Sequence, residues 1–207
     1  MRILIVGNGG REHALLWKLR RDAPTASFFA TQPNGGMASD CEGVQIEAAD
    51  VEGLSGWAIS NQIDLTIVGP EAPLAAGIVD HFEKIGLPIF GPHAKAARIE
   101  SSKAYSKELM RNAGIPTAEH RTFTDLSTAE AWILRQEAPI VVKASGLAAG
   151  KGAVVCSTEQ EALGTVRSML GDFIFGEAGR EVVIEEFLEG EELSVFALTD
   201  GEHSVIL

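Results

Sequence analysis

Between Ile140 and Val155 a β-branched run ends in Lys143. A loop of small residues follows, with a second lysine, Lys151, between Gly150 and Gly152, and then a second β-branched pair, Val154-Val155. Small residues let backbone N–H groups approach an anion closely, and two ammonium groups offset the charge of a polyphosphate. The pattern reads as a strand, loop and returning strand that close over the phosphates of ATP, with Ser145, Gly146, Gly150 and Gly152 shaping the cradle. It is not a Walker A loop, because Gly152 stands where a hydroxyl residue would follow the lysine and a strand comes next instead of a helix. The plain alternative is a glycine-rich hairpin with a solvated lysine.

Three further loops carry polar groups. Gly7-Asn8-Gly9-Gly10-Arg11-Glu12 follows the first apolar run and opens a helix, where parallel sheets bind phosphates. Glu12 occupies the place of the third glycine of a dinucleotide fingerprint. Thr31-Gln32-Pro33 replaces the acidic ribose anchor, which argues against a nicotinamide-dependent oxidoreductase. Pro33-Asn34-Gly35-Gly36 and Gly69-Pro70-Glu71-Ala72-Pro73 each follow a strand and reach the same carboxyl edge, where Glu71 offers a carboxylate to hydroxyls or an amine. Taken singly each loop is a turn; together they suit a small polar ligand. Further on, Glu185-Glu186-Phe187-Leu188-Glu189-Gly190-Glu191-Glu192 follows an apolar strand. Its extended backbone can pair with an adenine edge and a later carboxylate with ribose, against the plain reading of a solvated acidic turn.

These groups need a scaffold, and the chain has one. Its 207 residues suffice for one large domain or two small ones, and 45% hydrophobic content excludes a disordered or fibrous chain. A net charge of −12 excludes a general nucleic-acid binder. Cys41 and Cys156 are too few and too far apart for a disulfide framework or a zinc site, and read as reduced, buried thiols. The apolar run after Met1 is too short for a signal peptide, and no run approaches a membrane span, so the cytoplasm is the expected compartment.

The first hundred residues alternate strand-like and helical stretches, the pattern of a parallel α/β sheet. Strands are expected at Ile3 to Val6, Ser27 to Ala30, Val44 to Ile46, Leu65 to Val68 and Pro88 to Phe90, with helices at Arg11 to Arg20, Leu54 to Ile59 and Leu74 to Phe82. A second unit begins near Ser101, where Ser101 or Ser102 caps a helix that Gly114 ends. Strands near His120 to Phe123, at Ile140, Ala153 to Cys156, Glu181 to Glu185, Leu193 to Leu198 and Ser204 to Ile206 follow. Helices are expected at Ser127 to Arg135 and Glu159 to Leu170. Val205-Ile206-Leu207 stops inside an apparent strand and reads as a truncated end.

In this order and spacing the motifs resemble the ATP-grasp ligases, and within them the branch that joins glycine to 5-phosphoribosylamine. The stretches that carry the resemblance are Gly7 to His13, Gly69 to Leu74, Glu100 to Tyr105, Gly114 to Ala118, Lys143 to Gly152 and Val183 to Glu192. Ser145 stands where the family usually has aspartate, and Pro33-Asn34-Gly35-Gly36 varies the family's Pro-Gly-Asn-Ala-Gly loop.

The resemblance implies an α/β fold: a Rossmann-like domain over residues 1–100 and an incomplete ATP-grasp domain over 101–207, with a nucleotide-binding flap at about 120–190. It implies Lys103, Lys143 and Lys151 on the phosphates of ATP under the Ser145 to Gly152 loop, with Lys143 and Lys151 catalytic. Glu185, Glu186, Phe187 and Leu188 would frame adenine, and Glu192 would hold ribose. Asn8, Gly9, Gly10, Asn34, Gly35, Gly69, Pro70 and Glu71 would hold phosphoribosylamine. The implied reaction passes through glycyl phosphate and yields an amide, ADP and phosphate in purine synthesis. Magnesium or manganese is implied as well, but the family segments that supply its ligands have no counterpart here, so no metal ligand is assigned. The partners expected are these small substrates, with no nucleic acid, membrane or obligate protein, and the chain alone is expected to be inactive. Another ATP-grasp ligase or carboxylase, or a non-catalytic nucleotide-binding module, is the alternative.

Overall fold

The computed structural model describes residues 1–148, 150–199 and 201–206; Ala149 of the glycine loop, Asp200, and Leu207 of the final apolar run lie outside the described residues. Five parallel strands, β1 (Arg2–Val6), β2 (Ser27–Thr31), β3 (Glu42–Val44), β4 (Leu65–Val68) and β5 (Ile89–Phe90), form one sheet in the order β3-β2-β1-β4-β5. The chain winds outward from β1 first to one side and then to the other. This makes the carboxyl end of β1 and β4 a topological switch point, where loops part and leave a crevice.

β1 is apolar at nearly every position because both faces of the sheet are covered. Leu4 and Val6 pack with α2 (Val51–Ser60) and α4 (Ile78–Lys84) through Leu54 and Phe82, while Ile3 and Ile5 pack on the other face with Leu16 of α1 (Gly10–Asp22). The third strand lies two residues earlier than the sequence pattern suggests, since Thr31 pairs with Val44 and the ladder stops there. The helix expected from Leu74 to Phe82 is two: α3 (Glu71–Ala75) ends and α4 begins across Gly77, whose left-handed φ of 84° interrupts the helical path. A short helix without a strong apolar pattern, α5 (Ala94–Ser101), buries Ala97 and leads to α6 (Lys103–Asn112).

The second sheet is antiparallel, in the order β6-β9-β7-β8, from β6 (His120–Phe123), β7 (Ile140–Ala144), β8 (Ala153–Cys156) and β9 (Val182–Glu186). Its inward residues, among them Val142, Ala144, Cys156, Val182 and Ile184, pack on α7 (Leu126–Ile133) and α8 (Glu159–Val166). The helix expected to run to Leu170 passes at Arg167–Gly171 into a π-helical turn. Of the run Leu193 to Leu198, only the last two residues join a strand, β10 (Ala197–Thr199), which pairs with β11 (Ser204–Ile206) in a separate two-stranded ribbon. Leu193, Val195 and Phe196 are exposed outside any ladder, where a strand has no partner to fix it. Among the described residues no helix is long and apolar enough to cross a membrane. Cys156 is buried and Cys41 half-buried, and burial raises the pKa of both thiols.

Ser102, not Ser101, is the cap of α6: its hydroxyl accepts from the backbone N–H of Tyr105 at 3.2 Å. Ser102→Ala is expected to lower the unfolding free energy in urea by about 1 kcal/mol. Ser101→Ala should stay within about 0.5 kcal/mol of the parent, as surface changes do.

Candidate functional site

The four-stranded sheet has two unlike faces. Strand alternation sends Ile140, Val142 and Ala144 into the core, so Val141 and Lys143 must lie on the opposite face. The register places Ala153 beside Lys143, with Val155 beside Val141, and sets Val183 and Glu185 of β9 across from the same two residues. A one-residue slip would put Lys143 in the apolar core, so the pattern of buried residues holds it where it is. Helix α6 lies against β9 on this face and adds Lys103 and Lys107, one helical turn apart.

Lys103, Ser106, Lys107, Lys143, Val183 and Glu185 line one cavity of about 240 Å³. Within it Glu185 is only 2% exposed, and its carboxylate forms ion pairs with Lys143 and with Lys107, the latter at 2.5 Å. Lys107 also donates to the hydroxyl of Thr117 at 2.8 Å. Lys103 donates to the carbonyl of Gly146 at 3.2 Å. Burial lowers the pKa of Lys107 and Lys143; for Lys143 the nearby charges of Lys107 and Lys103 push the same way. Three ammonium groups face the buried carboxylate of Glu185 and the exposed one of Glu100, which also lines the cavity, so the hollow keeps a positive surplus suited to an anion.

The glycine loop is built differently from the sequence expectation. Ser145, expected to touch phosphate, is 3% exposed and turned into the protein. Its carbonyl accepts from the backbone N–H of Lys103 at 2.8 Å and its hydroxyl from that of Ala104 at 3.1 Å. Ser145 thereby satisfies the first turn of α6 and fixes that helix to the end of β7. Gly146 is required by space, as a Cβ there would sit 2.6 Å from the Cα of Ala178. Gly152 accepts from the Ala144 N–H through its carbonyl, and Gly150 has a left-handed φ of 76°.

Lys151 does not join Lys143. The N–H of Lys151 donates to the carbonyl of Ala148 at 2.9 Å, just ahead of edge strand β8. It lines a separate hollow of about 640 Å³ with Val154, Glu161, Met169 and Phe175. The two lysines line separate hollows rather than the one expected, because Lys143 lies within a strand and Lys151 in the loop ahead of the next. The acidic stretch is likewise divided. Glu185 is spent on lysines, and Glu186 accepts from the N–H of Glu119 at 2.9 Å, while Phe187 and Leu188 are exposed at the end of β9. Glu192 is exposed in a stretch with neither helix nor strand and lines neither hollow.

At the switch point of the parallel sheet, the loops read as substrate-binding do converge, held by side chains. Asn34 donates to the carbonyl of Asn8 at 2.7 Å, and Asn8 donates to that of Gln32 at 3.0 Å. Arg11 donates to Glu71 at 2.6 Å, bringing the start of α1 to the start of α3. The structural centre is Glu12, which the sequence offered only as a departure from a fingerprint. It is 3% exposed, accepts from the Gly9 N–H at 2.5 Å, and has its other oxygen buried without a hydrogen-bond partner. A Cβ on Gly69 would lie 2.0 Å from that oxygen, and one on Gly7 would lie 2.7 Å from the Glu12 side chain. Gly7 and Gly69 are therefore glycines because Glu12 lies between their loops, while Gly10 and Gly35 leave open space.

Lys107 is the cavity-lining residue that the sequence reading did not single out; its spacing of four from Lys103 was the available signal. Among the described residues no group of three or more His, Cys, Asp or Glu side chains converges to hold a metal ion.

Comparison with known proteins gives a consistent set of relatives. A family model described as phosphoribosylglycinamide synthetase, N domain, matches residues 1–100, and one described as phosphoribosylglycinamide synthetase, ATP-grasp (A) domain, matches 101–207. Phosphoribosylamine–glycine ligase of Pasteurella multocida is 51% identical over 205 residues, and that of Escherichia coli O6:H1 is 48% identical; each alignment covers 98% of this chain and 48% of the relative. The crystal structure of phosphoribosylamine–glycine ligase from Thermotoga maritima superposes with a TM-score of 0.79 at 30% identity, covering 100% of this chain and 49% of that one. The chain spans about half the length of the curated relatives it matches.

The Glu71 carboxyl is held below the ordinary glutamate range, first by the Arg11 hydrogen bond and then by its own backbone N–H at the start of α3. A carboxyl depressed in the folded state stabilises above its unfolded pKa, and that contribution fades as pH falls through the folded value. Glu71→Gln is expected to lower the unfolding free energy at neutral pH by less than about 1 kcal/mol for so exposed a pair, read as a slightly lower thermal midpoint. The difference should close under acid conditions below the ordinary glutamate range; a gap that persists there would refute the assignment.

Proposed function

This chain belongs to the phosphoribosylglycinamide synthetase family, and on that premise we propose that it binds ATP and serves the ATP-dependent joining of glycine to 5-phosphoribosylamine. The observation that carries the reading is the single cavity lined by Lys103, Lys107 and Lys143, the last two paired with Glu185. Lys103 and Lys143 take the phosphates, and the apolar residues on the same sheet face, Val141, Val155 and Val183, lie in reach of a base. Phe187, Leu188 and the backbone of Glu186 border adenine, and Glu192 closes on ribose. Lys151 enters once its loop folds toward the phosphates; Gly150 and Gly152 permit the change of backbone path that this needs. The loops around Glu12, with Asn8, Gly9, Gly10, Asn34, Gly35 and Glu71, receive phosphoribosylamine. The division at residue 100 into substrate-binding and nucleotide-binding units belongs to the same proposal, supported by where the two family models meet.

The chemistry asks for cations rather than a nucleophilic side chain. A carboxylate oxygen of glycine attacks the γ-phosphorus of ATP; the bond to the bridging oxygen breaks and ADP leaves. The amine of phosphoribosylamine then attacks the carbonyl carbon of glycyl phosphate, phosphate departs with the electron pair, and the nitrogen loses a proton. Each step moves negative charge between oxygens, which fixed ammonium groups and N–H donors stabilise. The divalent ion implied by ATP-grasp chemistry finds no ligand set among the described residues, so no step is assigned to it.

Isothermal titration of the chain with ATP tests the nucleotide reading. Lys143→Met should weaken binding at least roughly tenfold, equivalent to about 1.4 kcal/mol. Circular dichroism should show the fold intact, since Glu185 keeps Lys107. Because the Lys143 pKa is lowered, affinity should begin to fall at a more acidic pH than an ordinary lysine would give, as the ammonium loses its charge. Binding indifferent to Lys143 would overturn the assignment.

A further inference from the structure

Lys107 lines the cavity, but its ammonium is taken up by protein groups. Its side chain is 11% exposed, and its ammonium is already committed to Glu185 at 2.5 Å and to Thr117 at 2.8 Å. The carbonyl of Ala118 lies 3.5 Å away. Lys143 is more open, at 29% side-chain exposure, and its known protein partner is the other oxygen of the same carboxylate. One buried anion is thus shared by two cations of unequal freedom, one locked and one facing the cavity.

Consider the charges with and without Lys107. With it, Glu185 is neutralised by the locked lysine, and the ammonium of Lys143 is in surplus, available to an incoming phosphate. Without it, Lys143 is the one direct ion-pair partner left to the carboxylate among the described residues. In a partly desolvated site that attraction is strong, and pulling the ammonium away would strand a buried charge. We propose that Lys107 is a positioning residue that holds the Glu185 carboxylate so that Lys143 can exchange Glu185 for a nucleotide phosphate. This rests on the nucleotide reading above and deepens it: the resting site carries its own internal anion, and Lys107 determines how tightly that anion competes with the ligand.

The test is a charge-balance series measured by isothermal titration with ATP, on variants whose folded state is verified by circular dichroism at the titration temperature. Lys107→Met should bind roughly tenfold more weakly than the parent. Glu185→Gln should bind at least as tightly, although it breaks the same buried pair and lowers the thermal midpoint. The double variant, Lys107→Met with Glu185→Gln, restores the net charge of the cluster and should recover most of the lost affinity.

A merely structural Lys107 predicts something different, with both single variants binding more weakly in step with their lost stability. That outcome overturns the inference, as does a double variant no better than Lys107→Met. Should Lys107→Met fail to fold, Glu185→Gln and the double variant still decide: binding below the parent in both refutes the proposal. Lys143→Met, run in parallel, separates the two readings. Loss of binding there with none in Lys107→Met rejects the positioning role alone, whereas a folded parent that binds no ATP rejects the nucleotide reading and this inference with it.

Discussion

A carboxylate that is almost wholly out of water must be surrounded by opposite charge, and Glu185 imposes that condition on the second half of the molecule. Leaving such a group unpaired costs several kcal/mol, more than most single contacts return. Two lysines from different elements meet the demand, Lys143 from β7 and Lys107 from α6. The helix must therefore lie on the open face of the sheet, and its start is fixed there by Ser145, which accepts from the first two N–H groups of α6. The electropositive hollow is a consequence of solving the burial of one anion with more cations than it needs.

The parallel sheet repeats the arrangement with a different outcome. Glu12 is also buried, but its partners are a backbone N–H and the space left by glycines, not lysines. It gathers the loops after β1 and β4 at the switch point instead of charging a cavity. The asparagines that tie these loops together, and the Arg11 pair with Glu71, make the edge a preformed cradle rather than a set of free ends.

Family membership fits both halves, since one family model matches the parallel-sheet portion and its companion the portion that contains the lysine cavity. Likeness in fold to the Thermotoga maritima structure extends across the whole chain. The two buried glutamates give a physical reason for the glycine and lysine patterns that carry the resemblance: Gly7 and Gly69 make room for Glu12, and Lys143 balances Glu185.

Much of the scaffold was legible in the residues because apolar periodicity reports which face of an element is buried. β1, β2, β4, β7 and β8 fall where their β-branched or aromatic runs end against glycine or polar residues, and the loops at the switch point follow from that order. Local chemistry also singled out Lys143 and the glycine loop, while Lys103 came only from the family resemblance. What the residues could not disclose was pairing across distance. That Lys151 parts from Lys143, that Ser145 serves a helix start, and that Glu185 answers to Lys107 each depend on which elements pack together, through contacts about 40 or more residues apart in Ser145 and Glu185. Composition and spacing settle what a segment can become; only packing decides which charges must share a buried space, because Coulomb attraction and desolvation act through distance in the folded state and not along the chain.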